Sequence, residues 1–296
     1  MTSVVKGFGA PSSNGNGNGN DGTEFMSMLS PPKEKVEGYD NTIPCSQQTI
    51  AVPSLFAEAM SVREAVYGEQ GVPLEAEFDE DDARSWHWIA YASVASTSAP
   101  PKDLRVDSPK SSADDSRRSS ASATRVPVAT IRLIPPPHAP NKYLDHGQAD
   151  KHADASPPEG ESAHPAEPYV KLGRLATLGA YRGLGLAGLL INAALDYAKQ
   201  NPDTIYKPPS PTAMERAQIK DHGKEQLAWN GLVMIHAQAS IKKMWEKHGF
   251  REELKNDEGR IEIAAEPHWI EEGIEHIGMW KRIEVKRGRS ALHSSS

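Results

Sequence analysis

A short glycine-bearing segment with one arginine is the part of the sequence best suited to bind a charged ligand. Arg182, Gly183, Leu184 and Gly185 separate a run of apolar and β-branched residues from a segment whose apolar residues have helical spacing. The first N–H groups of a helix have no intrahelical partner and lie at the positive end of the helix dipole. Glycines let the backbone approach a ligand closely, and the arginine adds a positive charge. The segment therefore predicts a phosphate or pyrophosphate site; the alternative is a strand-to-helix turn that binds nothing.

Two common phosphate-binding motifs fit this segment poorly. A P-loop needs a lysine followed by serine or threonine after its last glycine, whereas Leu186 and Ala187 occupy those positions. Residues 183–188 match the G-x-G-x-x-G spacing of dinucleotide-binding folds. However, the strand before them is charged, and the rest of the chain lacks the alternating β-α-β units of that fold. A nucleotide-binding regulator remains as an alternative interpretation.

The same residues resemble a motif of a known enzyme family. Residues 182–187, RGLGLA, resemble the [Q/R]-x-x-G-x-[G/A] pyrophosphate loop of the GNAT superfamily of acetyl-CoA-dependent N-acetyltransferases, and residues 173–177 look like its central strand. Three further segments resemble motifs of a small-GNAT branch, in the same order. They are residues 62–70 with Glu77, Asp79, Asp82 and His87 (R-x-x-V-F-x-x-E-Q…E-x-D-x-x-D…H), residues 236–239 with 245–250 (H-A-Q…Y-E-K-x-G-F), and residues 271–279 (E-E-G-I-P-H-I-x-M).

The resemblance implies a fold and a reaction. The fold would be one α/β domain of the GNAT type, with a mixed, mostly antiparallel sheet flanked by helices and interrupted by long disordered insertions. The reaction would be transfer of the acetyl group of acetyl-CoA to a primary amine of a small molecule, or to a protein lysine. The alternative is a weak or inactive module of the same fold that binds acetyl-CoA and has a regulatory or scaffolding role.

The resemblance also implies where acetyl-CoA would bind. Its pantetheine arm would enter a gap between the strand at residues 169–177 and its neighbour at 229–238, and would pair with the first strand as another strand would. A backbone N–H there would face the thioester oxygen. No metal ion is expected. The expected cofactor-binding residues are Leu175, Ala176, Thr177, Arg182, Gly183, Leu184, Gly185, Leu186 and Ala187.

An acetyltransferase must also take a proton from its amine substrate. Glu69 and His87 lie in the matched N-terminal motif and are our candidates for the catalytic base. Glu69 could instead cap or salt-bridge a helix end, and His87 could make a structural hydrogen bond. Arg174 could pair with Glu69 and shape the pocket. The acidic run at 75–82 could attract a cationic amine or be a solvated loop.

The chain departs from the family pattern at Trp245. Many GNAT enzymes have a tyrosine there that protonates the thiolate of coenzyme A, but an indole N–H is a donor without useful acidity. Either another group, namely Tyr181, His248 or water, does this, or the enzyme is slow, or activity is lost. Binding of the donor does not depend on this position.

The predicted elements fall into one domain between two disordered tails. Hydrophobic residues are 38% of the 296 residues, and the mean hydropathy is −0.58, so part of the chain is expected to be unstructured. The predicted domain covers 48–284, the tails 1–47 and 285–296, and flexible insertions about 95–124, 136–167 and 201–228. Strands are predicted at 48–52, 85–94, 125–135, 169–177, 229–238 and 276–283, and helices at 55–67, 186–200 and 239–248.

Composition limits the partners and the compartment. The net charge of −7 argues against general affinity for nucleic acid. The chain has one cysteine, which excludes an intrachain disulfide, and no apolar run that is long enough for a membrane span or a signal peptide. We therefore expect a cytoplasmic protein, a nuclear location not being excluded, that neither binds nucleic acid nor enters membranes. The oligomeric state is open, a homodimer included.

Overall fold

The centre of the molecule is a mixed β-sheet. The structure, a computed structural model, describes residues 25–95, 123–139, 141–144, 167–207 and 228–286. The strands within these ranges are β1 (Met26–Leu29), β2 (Trp86–Ala95), β3 (Ala123–Ile134), β4 (Val170–Thr177), β5 (Leu232–Gln238), β6 (Leu254–Lys255), β7 (Ile261–Ile263), β8 (Trp269–Glu271) and β9 (Ile274–Arg282).

Seven of these strands form the main sheet, in the order β1-β2-β3-β4-β5-β9-β8, and β6 and β7 form a separate hairpin. Within the main sheet β4 and β5 pair in parallel, and the other neighbouring strands pair in antiparallel fashion. The expectation of a mixed, mostly antiparallel sheet is therefore confirmed.

Helices cover both faces of the sheet. They are α1 (Ser54–Gly68), α2 (Leu186–Gln200), α3 (Pro202–Ile205) and α4 (Lys242–Lys247). Neighbouring residues of β2 face opposite sides: Trp88 packs in the cluster that contains the buried side of α2, whereas Ile89 packs with Ala59 of α1. The sheet is therefore buried between α1 and α2, and this places the start of α2 beside the end of β4.

Helix α2 spans the residues that the sequence predicts, Leu186–Gln200. Its buried residues share one face and are Leu190, Ile191, Ala194, Leu195 and Ala198. Asn201 directly follows the last residue of the helix, and its side-chain amide donates to the carbonyl of Tyr197 at 2.9 Å. Pro202 follows and cannot continue the hydrogen-bond ladder of the helix.

The predicted N-terminal tail is wrong for residues 25–47. β1 pairs along its whole length with β2. Val36 and Cys45 are buried with Phe56 and Met60, where they cover the outer part of α1. The segment is rich in turn residues, and its apolar side chains are clustered only at 25–29 and isolated after that. Its order therefore depends on a sheet edge and a helix face that the local sequence does not reveal.

Two other boundaries differ from the prediction. Residues 48–52 form no strand, because they run through turns into α1. The insertion predicted at 201–228 begins with α3, and Ile205 of this helix is buried in the main core. Most of the insertions predicted at 95–124 and 136–167 lies outside the described residues. The same holds for the rest of the insertion predicted at 201–228 and for the remaining parts of both predicted tails.

A buried network of ion pairs fastens the acidic run after α1 to the sheet. Arg63 of α1 and Arg132 of β3 both reach one carboxylate oxygen of Asp82, at 2.7 and 2.8 Å. Arg132 also contacts Asp79 at 2.6 Å. Burial would raise the pKa of Asp82, but the two guanidinium groups outweigh it and hold this pKa well below its usual range. The acidic run is therefore in part a structural clamp. The sequence had suggested only a loop that attracts a cationic amine or a solvated loop.

Candidate active site

Strands β4 and β5 separate partway along their length. They pair at only three positions, Val170 with Val233, Lys171 with Met234, and Leu172 with Ile235. β4 continues to Thr177 and β5 to Gln238, so that the two strands diverge beyond the pairing. We call the point of divergence the fork. It is the gap that the sequence resemblance implied.

A bulge in β4 lies just beyond the fork. The register against β3 shifts between the pairs Thr130–Ala176 and Arg132–Gly173, which leaves one extra residue on β4. Arg174 lies in this bulge. Its φ of 51° is in the left-handed region, which residues other than glycine rarely adopt. Its guanidinium donates to the carbonyl of Ala76 at 2.8 Å and to Asp79 at 3.0 Å. The acidic run thus holds the bulge that bends β4.

The fork opens into a cleft of about 960 Å³. Eight of the nine predicted cofactor-binding residues line it: Leu175, Ala176, Thr177, Arg182, Gly183, Gly185, Leu186 and Ala187. Leu184 is not among the lining residues, and it is 39% exposed. The hydroxyl of Tyr67 on α1 donates to the carbonyl of Leu175 at 3.2 Å, which fixes this edge of β4.

The loop between β4 and α2 has the shape of an anion-binding site. Gly183 and Gly185 have φ values of 78° and 81°, and a Cβ on either glycine would meet no atom within 4 Å. The N–H groups of the first turn of α2 follow directly. Arg182 donates from Nε to the carbonyl of Thr177 at 3.0 Å, which holds its charge beside the loop. The residues present therefore fit a diphosphate.

A second cavity of about 430 Å³ continues from the fork on the side of α1. We call it the acceptor lobe. Its walls are the acidic run at 75–81, residues 138, 139 and 141–143, and the turn between β8 and β9. The residues that line both the cleft and the lobe are Tyr67, Asp79, Asp81, Lys171, Arg174, His236, Gln238, Glu271 and His276. Ligands bound in the cleft and in the lobe would meet at these shared residues.

Glu69 does not have the position expected of a catalytic base. It follows the last residue of α1, its side chain is 61% exposed, and it lies 3.7 Å from Arg182. It lines neither the cleft nor the acceptor lobe. The alternative of a helix-end carboxylate in a salt bridge describes it, with Arg182 as the partner in place of Arg174.

His87 is also away from the cleft. Its ring is 1% exposed, packs edge-to-face on Phe56, and has Nε2 3.1 Å from the carbonyl of Asp82. Burial lowers the pKa of His87 to about 4, because it disfavours the charged imidazolium. The structural hydrogen bond named as the alternative is therefore what the structure contains.

Sequence reasoning overlooked the histidines that do line the site. His236 on β5 and His276 on β9 both lie at the junction of cleft and lobe, and both rings pack against Trp269. Nδ1 of His276 is 2.9 Å from the carbonyl of Ile274. A carbonyl only accepts, so in the neutral ring Nδ1 carries the proton and Nε2 has the lone pair. Both residues belong to matched motifs, H-A-Q and E-E-G-I-x-H, so a signal for them was present.

The three side chains considered for protonation of the thiolate all line the cleft. Trp245 lines the cleft, and its buried indole N–H has no hydrogen-bond partner among the described residues. Tyr181 and His248 line the cleft as well. Burial and the nearby Lys281 lower the pKa of His248, so its ring is largely neutral at pH 7. Tyr181 is the remaining side chain of the three with an acidic hydroxyl.

Within the described ranges, no group of three or more His, Cys, Asp and Glu side chains is arranged to hold a metal ion. No helix in that part of the chain is long and apolar enough to cross a membrane.

Comparisons with known proteins found a family match and similar solved structures. A model of the acetyltransferase (GNAT) family matches residues 80–207. No curated protein matches the chain. Similar solved structures include a putative N-acetyltransferase from Lactobacillus plantarum, with 18% identity, 88% of this chain and 99% of that chain covered, and a TM-score of 0.41. Escherichia coli ElaA has 16% identity and a TM-score of 0.37, and the match covers 87% of this chain and 98% of that chain.

The fold is the GNAT fold, a mixed and mostly antiparallel sheet flanked by helices. The family match supports acyl transfer as the general class of reaction.

Proposed function

We propose that this protein is an N-acetyltransferase that moves the acetyl group of acetyl-CoA to a primary amine of a small molecule. The observation that carries the proposal is the fork between β4 and β5, with the glycine loop at the start of α2 along its edge. A parallel pair that separates after three residues leaves backbone N–H and C=O groups of β4 facing the cleft. These groups and the loop together suit a ligand with both amide groups and a diphosphate.

The chain would bind the donor through two regions. Arg182 and the open positions at Gly183 and Gly185 receive the diphosphate at the first turn of α2. Backbone groups of residues 175–177 pair with the pantetheine arm, and one of their N–H groups donates to the thioester oxygen. When bound, acetyl-CoA supplies an acyl group that is activated as a thioester.

His276 is the general base in this proposal. Its Nδ1–H is fixed by the carbonyl of Ile274, so the lone pair of Nε2 is available to an amine in the acceptor lobe. Trp269 stacks on its ring and holds the orientation. Tyr181 is the group proposed to protonate the departing thiolate, because Trp245 lacks the acidity for this step.

The acceptor lobe favours a small amine over a protein lysine. Its volume is about 430 Å³, and it lies between the acidic run at 75–81 and the turn after β8. Asp79 and Glu77 are neutralised in part by arginines, whereas Glu75, Glu80 and Glu272 are exposed. The lobe therefore attracts cations at its rim, which suits an amine that arrives protonated.

We expect purified protein to release free thiol from acetyl-CoA in the presence of at least one amine from a panel of amino sugars, polyamines and amino acids. His276→Gln should lower kcat about 100-fold, because a positioned base contributes about 10²–10⁴-fold. His268→Gln is the matched control, since His268 is exposed and pairs with Glu252 and Glu275 outside the cleft. It should leave kcat unchanged.

A second candidate is a module of the same fold that binds acetyl-CoA without turning it over. Trp245 favours it, since the expected acid is missing at this position. If the protein binds coenzyme A but releases no thiol with any amine of the panel, the binding module would be supported and the acetyltransferase contradicted. A cytoplasmic location and the oligomeric state stay predictions.

A further inference from the structure

Lys171 is a nucleophile inside the site that the proposed mechanism does not use. It is the middle of the three β4 residues that pair with β5, one residue before the fork. Val170 and Leu172 on either side of it pack in the main core with α2. The side chain of Lys171 therefore lies on the opposite face of the sheet, where it lines both the donor cleft and the acceptor lobe.

The surroundings of Lys171 disfavour its charged form, and no described carboxylate forms an ion pair with it. Arg132 of β3 adds a like charge, and Asp81, Glu266 and Glu271 approach from the acidic run, the segment before β8, and β8. No ion pair within 4.0 Å among the described residues includes Lys171. Its ammonium thus lies in a confined place next to one arginine and is not fixed by a carboxylate.

Burial and Arg132 lower the pKa of Lys171 from 10.5 to about 8. The fraction of neutral amine at pH 7 is therefore about 300-fold larger than for an ordinary lysine. The neutral form is the nucleophile, so Lys171 combines the reactive state with a position beside the expected acyl group.

We propose that Lys171 is an internal acceptor, which takes the acetyl group from acetyl-CoA bound in the cleft when no amine substrate is present. This rests on the proposed function. The Nζ lone pair forms a bond to the thioester carbonyl carbon, the C–S bond breaks, and coenzyme A leaves as its thiolate. The proton lost by nitrogen ends on the thiolate, so that the products are acetyl-lysine and free coenzyme A.

The consequence is a brake on the enzyme. Acetylation removes a positive charge from the junction and puts an acetamide where the acceptor and the acyl group meet. The modified chain should therefore turn over amines more slowly than the unmodified chain.

The test is isotope-labelled acetyl-CoA added to the full chain without amine, followed over time by peptide mass spectrometry. Lys142 and Lys247 are internal controls, because Lys142 lines the lobe and Lys247 lines the cleft, yet both are more exposed. The labelled acetyl group should appear on Lys171 at least tenfold faster than on either control. Any acetylation already present on purification should likewise be higher at Lys171 than at either control. The preference should disappear in urea-unfolded protein.

Acetylation of Lys171 no faster than of Lys142 and Lys247 would overturn the inference. If thiol release with the amine panel succeeds in the same preparation, the proposed function stands and this inference alone fails. If the chain also fails to bind coenzyme A, the proposed function fails with it.

Discussion

Replacing Asp82 with alanine is expected to lower the free energy of unfolding by about 3–5 kcal/mol, which is the cost of removing one partner of a buried ion pair. Asp82 is fully buried and faces Arg63 and Arg132 at 2.7 and 2.8 Å. Without it, two buried guanidinium groups lose a shared counter-charge. The loss also frees the acidic run that holds the bulge at Arg174, so the fork should be disturbed with the fold.

Urea denaturation measures this loss, and Asp81→Ala is the matched control. Asp81 is the next residue, and its pair with Arg84 is partly exposed, with 29% of the Asp81 side chain accessible. An exposed pair contributes about 0.2–1 kcal/mol. Equal losses for the two variants would contradict the account of Asp82 as the centre of a buried clamp.

Gly231→Ala is expected to destabilise the fold by about 2–4 kcal/mol, since it combines a left-handed backbone with overpacking. Gly231 precedes β5, has a φ of 85°, and accepts a hydrogen bond from the N–H of Ile283 at 2.9 Å. A Cβ there would lie 1.9 Å from the carbonyl oxygen of Ile283. Either β5 or the end of β9 must move, and β5 is one arm of the fork.

Gly259→Ala separates the two causes. Gly259 has a similar φ of 78°, but a Cβ there would meet nothing within 4 Å. Its substitution should therefore cost only about 1 kcal/mol, the backbone strain alone. Thermal or urea unfolding of the two variants should differ by the overpacking cost, and a loss at Gly259 as large as that at Gly231 would show that the close approach to Ile283 is unimportant.

The loop that we propose binds the donor was predictable from the sequence because its residues are local. Arg182, Gly183 and Gly185 are adjacent in the chain, and helix α2 begins directly after them. A strand, a glycine turn and a helix in succession fix where the N–H groups lie. The fork also follows the resemblance, although the bulge at Arg174 that accompanies it has no signature in the residue types.

The acceptor side was not predictable in the same way. Glu69 and His87 lie in one matched motif, but the fold turns Glu69 to solvent and buries His87 under α1. His236 and His276 are 40 positions apart and become neighbours only because β5 pairs with β9. Sequence distance hides such a pair, and the pairing of strands depends on the whole sheet.

The buried charges illustrate the same limit. The acidic run reads as a solvated loop or an attractive surface, whereas Arg63, Arg132 and Arg174 come to it from α1, β3 and β4. Nothing in the run itself indicates which of its carboxylates will be paired. The order of residues 25–47 is not apparent in their own sequence for a related reason, since it depends on β2 and α1.

Calorimetric titration with coenzyme A measures whether its diphosphate binds at residues 182–187. The variant is Arg182→Glu with Gly183→Val and Gly185→Val; Gly259→Val, another left-handed glycine with open space, is the control. Reversing the charge and filling the open positions should weaken binding by about 100-fold or more, given about 1.5–3 kcal/mol for each charge-assisted hydrogen bond lost. The control should bind as the natural chain does. Unchanged affinity in the triple variant, with its fold intact by circular dichroism, would contradict the account.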